Sequence, residues 1–110
     1  MDDIKNGIVS KPHRVYDWTA AEAAAWDKAR PRSPGLSYGT AYEDVETLTQ
    51  GGIEGTLCRA PYWDGREWDW DYSWHCEGIS NDCFGTLAFA RSDLIERLAY
   101  EAELTAREAA

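Results

Sequence analysis

The stretch at 66–77 reads REWDWDYSWHCE and alternates with a period of two. Its even positions carry four aromatic side chains and a cysteine: Trp68, Trp70, Tyr72, Trp74 and Cys76. Its odd positions are mostly acidic and include Glu67, Asp69 and Asp71. Successive side chains of a β-strand point to opposite faces of the sheet. The alternation therefore predicts a strand with one aromatic face and one carboxylate face.

A preceding strand is predicted to pair with this one. The dipeptide Asp64-Gly65 is typical of a two-residue hairpin turn. The strand-like runs on its two sides are 53–63 and 66–76. This register places Arg59 opposite Trp70, on the aromatic face, where a guanidinium can stack on an indole ring. Pro61 has no N–H group to donate, so it predicts that this end of the first strand is an edge. A third strand is predicted at 84–90.

Three helices are predicted around these strands. Thr19 and Glu22 have the spacing of a capping box, which predicts a helix at 20–30. Thr40 and Glu43 repeat that spacing, predicting a short second helix at about 41–49 that ends at Gly51-Gly52. Ser92 is the predicted cap of a third helix at about 93–107.

These elements predict an α+β fold over residues 1–110. The expected architecture is a small three-stranded antiparallel sheet packed by helices on one face, in the order α-α-β-β-β-α. Residues 1–18 are expected to be extended or loosely ordered. At 110 residues, the chain is most simply a single domain.

The charge distribution favours a basic partner. The formal net charge is −9, and residues 35–110 carry fifteen acidic but only five basic side chains. Such a surface repels nucleic-acid phosphates and anionic lipids, so we expect neither direct nucleic-acid binding nor membrane association. No apolar run approaches the roughly 18 residues of a membrane-spanning helix. The N-terminus has no apolar signal-peptide core, so a cytoplasmic location is expected.

The sequence contains no specific catalytic or cofactor motif, and we expect no enzymatic activity, cofactor or metal. His75 and Cys76 are neighbours on a strand and point to opposite faces, so they and Cys83 make a poor zinc site. Asp69 and Asp71 have a spacing compatible with glycoside hydrolysis, but an exposed strand would not desolvate them. The same two residues with Asp64 lack the glycine-bent loop of a calcium site.

The cysteines are predicted to be free thiols. Cys58, Cys76 and Cys83 form an odd set without a recognised spacing, as in proteins of a reducing compartment. A Cys76–Cys83 bridge remains the alternative in an oxidising compartment.

Two acidic clusters form the predicted binding surface for a partner. Carboxylates at positions i and i+2 of a strand lie about 7 Å apart, comparable to successive phosphates of a nucleic-acid strand. They could mimic a phosphate backbone in a Lys/Arg channel or simply form a solvated face. The aromatic face is expected to be sheet core, because alanine-rich helices supply little volume, with an exposed stacking platform as the alternative. The predicted contact residues are Glu67, Asp69, Asp71, Glu43, Asp44 and Glu46.

In size, acidity and lack of a catalytic constellation, the chain resembles the small phage-encoded anti-defence inhibitors. That class includes anti-CRISPR proteins and other DNA mimics. The resemblance concerns composition and layout and assigns no residue. It implies a target in the host cytoplasm that is blocked by steric or electrostatic competition. Such a target is a basic protein or, often, a nucleic-acid-binding complex such as a CRISPR effector. Two alternatives stay open: an antitoxin or immunity-type protein that binds a basic toxin, and a ligand-binding module that uses exposed tryptophans.

Overall fold

A computed structural model describes residues 7–29 and 42–109. Its elements, in chain order, are β1 (Ile8–Pro12), α1 (Ala20–Ala29), β2 (Glu43–Gln50), β3 (Ile53–Trp63), β4 (Trp68–Cys76), β5 (Ile79–Phe84) and α2 (Leu87–Ala109). The five strands form one antiparallel sheet in the order β1-β2-β3-β4-β5. The predicted three-stranded sheet and the order α-α-β-β-β-α are therefore wrong. The described order is β-α-β-β-β-β-α.

The predicted second helix at 41–49 is instead strand β2. Its sequence, EDVETLTQ, places β-branched residues at alternate positions, which suits a pleated strand. Gly51 and Gly52 form the turn to β3, with φ values of 58° and 81°. Positive φ at both central residues is what the favoured hairpin turn needs, and the same glycines would also have suited a helix C-terminus. Thr40, the predicted cap, lies outside the described residues.

The two edge strands were not predicted. β1 lies in the segment 1–18 that was expected to be extended or loosely ordered, and Ile8 pairs with Gln50 at its start. β5 follows a tight turn at Glu77-Gly78, where φ is 51° and 79°. Residues 79–84 thus form a strand, where the sequence predicted none before residue 84.

Helix α2 begins at Leu87, six residues earlier than the predicted helix that Ser92 was expected to cap. Thr86 Oγ1 accepts a hydrogen bond from the backbone N–H of Phe89 at 3.2 Å, so Thr86 caps the helix. The predicted strand at 84–90 is consequently divided between the end of β5 and the first turn of α2.

Helix α1 begins as predicted. The backbone N–H of Thr19 donates to Glu22 Oε1 at 2.9 Å, and that of Glu22 donates to Thr19 Oγ1 at 3.1 Å. These reciprocal bonds are a capping box and satisfy donors that the first turn cannot pair. The helix is described to Ala29, because residue 30 lies outside the described range.

Helix α2 packs on one side of the sheet, here called the front face. The core there consists of Ile8, Leu48, Leu57, Trp74, Cys76, Ala90, Leu94 and Leu98. Each buried leucine contributes about 1.5–3 kcal/mol. Gly55 lets the helix approach closely, because a Cβ at this position would lie 2.5 Å from Leu94 Cδ1.

Helix α1 covers the opposite side, here called the back face. It contacts β3 and β4, where Cys58, Ala60 and Ser73 point away from the front-face core and are buried. Small side chains on both the helix and the sheet allow this close packing, since α1 buries Ala20, Ala23 and Ala24. The two described helices thus lie on opposite faces, and the prediction of helices on one face is wrong. Neither contains a segment long and apolar enough to cross a membrane.

Candidate binding surface

Strands β3 and β4 extend beyond their neighbours. The pairing of β3 with β2 ends where Glu43 lies opposite Arg59, and the pairing of β4 with β5 ends where Phe84 lies opposite Tyr72. Within the described chain, residues 60–71 therefore pair only with one another. We call these residues the hairpin arm. As expected for Pro61, no described residue pairs with the side of β3 that faces β2 here.

A four-residue loop closes the arm. Asp64 Oδ1 accepts hydrogen bonds from the backbone N–H groups of Arg66 at 2.7 Å and Glu67 at 2.8 Å. This Asx-type turn replaces the predicted two-residue turn and places Trp63 opposite Trp68. The register is thus shifted by two residues from the prediction, so every side chain keeps its predicted face.

The front face of the arm is aromatic and exposed at its tip. Trp63 and Trp68 are 50% and 42% exposed, and their rings meet edge to face with centroids 5.5 Å apart. Trp70 is half-buried beneath Arg59, whose guanidinium carbon lies 3.9 Å from the ring centroid. That stacking was predicted and is confirmed, whereas the predicted pairing is wrong, because Arg59 lies opposite Tyr72 and Trp70 is its diagonal neighbour. The expectation that the aromatic face is core holds only farther along β4, where Trp74 is buried.

The back face of the arm is acidic. Asp69 and Asp71 lie there, and no ion pair involves either of them or Asp82 in the part of the chain that the structure describes. Burial, followed by the negative charge of Asp82 on neighbouring β5, raises the pKa of Asp71. This partial desolvation was not expected for a strand face. The carboxylates thus lie close together, and no described basic residue compensates their charge.

A cleft runs along the open edge of the arm. Its volume is about 210 Å³, and its lining includes Asp64, Asp69, Asp71, Tyr62, Trp70 and Phe84. Carboxylates beside aromatic rings suit a guanidinium or ammonium group, which can form ion pairs and stack at once.

The second predicted acidic cluster is on strand β2, where two of its members already form ion pairs. Glu43 is bound by Arg59 Nε at 3.3 Å, and it also accepts from the Trp18 indole N–H at 2.8 Å. Glu46 is bound by Arg91 Nε at 2.9 Å and accepts from the Ser10 hydroxyl. The structure therefore does not join the six predicted contact residues into one open surface. Glu67, Asp69 and Asp71 are together on the arm.

Asp44, the third member of that cluster, lies on the back face beside a thiol and an imidazole. We call Asp44, Cys58 and His75 the mixed group. Its Oδ1 accepts a hydrogen bond from Cys58 Sγ at 3.4 Å, and the ligand atoms of Asp44, Cys58 and His75 all lie within 4.8 Å of one another. Sequence reasoning missed this group because its members come from three strands, and β2 was taken for a helix. His75 and Cys76 do point to opposite faces, as predicted: His75 is exposed and Cys76 is in the front-face core.

The mixed group is poorly arranged for thiol catalysis. A nucleophilic cysteine needs a neighbouring base or cation that lowers its pKa. Here burial and the hydrogen bond to Asp44 raise the pKa of Cys58 to about 12. All three cysteines are free, and only Cys83 is exposed.

An aromatic cavity lies at the N-terminal end of β2. Its volume is about 310 Å³, and it is lined by Tyr16, Trp18, Trp26, Tyr42 and Glu43. The rings of Trp18 and Trp26 are tilted, with centroids 5.8 Å apart. Sequence patterns gave no indication of this cavity, because Tyr16 and Trp18 precede α1, whereas Tyr42 precedes β2.

Comparisons with known proteins do not assign any of these sites. No protein-family model, no curated protein and no solved structure matches the chain.

Proposed function

We propose that the protein acts by binding, as an acidic inhibitor that engages a basic, nucleic-acid-binding complex of a host cell through its hairpin arm. The observation that carries this proposal is a set of carboxylates on the back face of the arm, Asp69 and Asp71 with Asp82 beside them, for which no ion pair is found among residues 7–29 and 42–109. Its setting is the host cytoplasm, and a CRISPR effector is one target of this kind.

The two faces of the arm supply different parts of the interaction. Exposed tryptophans such as Trp63 and Trp68 are typical anchors of protein interfaces, because they bury much area at little entropic cost. The carboxylates steer a basic surface toward the arm and select against acidic ones. Spaced about 7 Å apart along a strand, they take the places of successive phosphates.

The cleft along the arm supports a basic partner in particular. A lysine or arginine side chain entering it would meet Asp69 and Asp71 on one side and Trp70 on the other. Partial burial of Asp71 strengthens such a pair, because Coulomb attraction grows as water is excluded. Glu43 and Glu46 already bind internal arginines, so the arm carries most of the binding energy.

A capture experiment with charge-reversed variants tests this proposal. The bait proteins are the wild type, Asp69→Lys/Asp71→Lys, and the matched control Glu96→Lys/Glu108→Lys. The control makes the same charge change at exposed positions of α2. We expect the wild type and the control to capture a basic nucleic-acid-binding complex from a host lysate, and added duplex DNA to displace it. The arm variant should fail to capture it.

Two results would refute the proposal. One is equal capture by the arm variant and the control, which would make the acidic face an ordinary solvated surface. The other is a captured target that DNA does not displace, because a phosphate mimic and DNA must compete for one channel. A basic toxin captured in place of such a complex would favour the antitoxin or immunity alternative.

The aromatic cavity favours a second candidate function, the binding of a small ligand. Four aromatic side chains line it, and their rings suit an organic cation, although the Glu43 carboxylate at its wall is already bound by Arg59. Titration with tetramethylammonium, followed by tryptophan fluorescence, tests this candidate. Saturable quenching that is lost in Trp26→Ala would support it, and a linear, unspecific response in both proteins would exclude it.

A further inference from the structure

We propose that Asp44, Cys58 and His75 form a zinc-type metal site on the back face of the sheet, with one coordination position left open. This site is separate from the hairpin arm and is not part of the binding function proposed above. One carboxylate, one thiol and one imidazole, each from a different strand, point to the same face with their ligand atoms within 4.8 Å of one another.

Strand pairing brings these three residues together. Asp44 lies directly opposite Cys58 in the β2–β3 pair, next to a bulge that separates it from Glu46. His75 lies opposite Thr56 in the β3–β4 pair and is therefore the diagonal neighbour of Cys58. Diagonal neighbours are within reach of a long side chain such as imidazole. The backbone thus fixes the spacing of all three ligands.

The distances fit a tetrahedral zinc site with little movement. Zinc bonds of about 2.3 Å to sulfur and about 2.0 Å to oxygen place these two atoms about 3.5 Å apart at a tetrahedral angle. The observed separation of Cys58 Sγ and Asp44 Oδ1 is 3.4 Å. The three ligand atoms lie within 4.8 Å of one another, so the His75 ring nitrogen must approach by about 1.5 Å at most to complete the same geometry. His75 is exposed and free to make that rotation.

The mixture of ligands selects the metal. Calcium and magnesium take oxygen ligands and do not favour a thiolate. Sulfur, nitrogen and oxygen together suit zinc, for which cobalt is a spectroscopic substitute. Three protein ligands leave the fourth position to water or to a side chain of a partner. Because Asp44 and His75 are both exposed, that position is open to solvent.

A polar network adjoins the site. His13 Nε2 lies 2.7 Å from Thr47 Oγ1, which lies 3.2 Å from Thr56 Oγ1. Thr56 is the direct cross-strand neighbour of His75. Threonine hydroxyls beside a ligating imidazole can orient it, as partners around metal sites generally do.

Cobalt titration of the purified protein, kept reduced by a non-chelating reductant, tests the site. We expect saturation at a single equivalent, with a near-ultraviolet thiolate-to-cobalt charge-transfer band that added zinc abolishes. The band should be absent in Cys58→Ser, and the affinity should fall about 10-fold or more in His75→Gln and Asp44→Asn. Cys83→Ser is the matched control, since Cys83 is an exposed cysteine outside the group.

Comparison of the charge-transfer band in the wild type and the cysteine variants shows whether Cys58 binds the metal. A wild-type protein without the charge-transfer band would overturn the proposal, and so would a band that survives in Cys58→Ser or disappears in Cys83→Ser. Should Cys58→Ser fail to fold, the exposed residues decide the question. Unchanged cobalt affinity in folded His75→Gln and Asp44→Asn would then overturn it.

Discussion

The two ends of strand β4 share one pattern but have different environments. Trp74, at the inner end, is 4% exposed beneath α2, whereas Trp68, at the outer end on the same face, is 42% exposed. The alternation of the sequence is identical at both ends. It therefore fixes which face a side chain occupies, but a covering helix decides whether that face becomes core or surface.

The largest expected difference between the two ends is in stability. Trp74→Ala should lower the free energy of unfolding by about 3–5 kcal/mol, since it opens a cavity in the core. It also removes the indole N–H that donates to Asp93 at 2.9 Å. Trp68→Ala should lower the free energy of unfolding by about 1 kcal/mol or less, because this side chain is half-exposed and makes a single ring contact. Urea unfolding of both variants measures the difference. Equal losses would mean that the arm is as much a part of the core as the inner end.

A smaller loss of stability is expected from a change where the arm joins the rest of the sheet. Glu43→Gln should cost about 2 kcal/mol, since it leaves Arg59 without its carboxylate in a site where Glu43 is largely buried. Glu54→Gln is the matched control, because Glu54 is exposed on β3. Urea unfolding tests whether Glu43 stabilises the fold through its ion pair with Arg59 or serves as a partner contact, as the sequence predicted. If Glu43→Gln is as stable as the control but binds the partner more weakly, Glu43 is a partner contact and its internal ion pair does not stabilise the fold.

The smallest effect is expected at the back face of the arm and depends on pH. The pKa of Asp71 is raised in the folded protein by burial and then by Asp82, so the charged carboxylate disfavours folding. Wild type should therefore gain stability relative to Asp71→Asn as the pH falls through this raised pKa. Asp71→Asn should be more stable than wild type at neutral pH, by about 0.5 kcal/mol or less, because the group is largely solvated. Thermal unfolding from acidic to neutral pH checks this. If Asp71→Asn were more stable than wild type by the same amount in acid, where Asp71 is protonated, the electrostatic explanation would be contradicted.

The sequence predicted those elements that local patterns determine. The alternation of β4, the capping box of α1 and the stacking of Arg59 on Trp70 depend on near neighbours, and all three are confirmed. The hairpin around Asp64 was predicted with the correct faces but a loop that was too short, because the Asp64 side chain binds two later amides.

The errors lie where distant partners decide the structure. EDVETLTQ carries acids that suit the start of a helix, yet Arg59 and Arg91 bind Glu43 and Glu46 once the strand lies in the sheet. β1 and β5 are short edge strands, and each needs a neighbouring strand to be stable. The group of Asp44, Cys58 and His75 could not be found without the position of β2.

The affinity of the captured partner at two ionic strengths tests the central claim most directly, that the acidic face of the arm binds a basic surface. We predict that wild-type affinity falls as salt rises, because screening weakens attraction between opposite charges. Asp69→Lys/Asp71→Lys should bind far more weakly, and its affinity should not fall with added salt. If the wild type and this variant bind equally well, and neither responds to salt, the claim is contradicted.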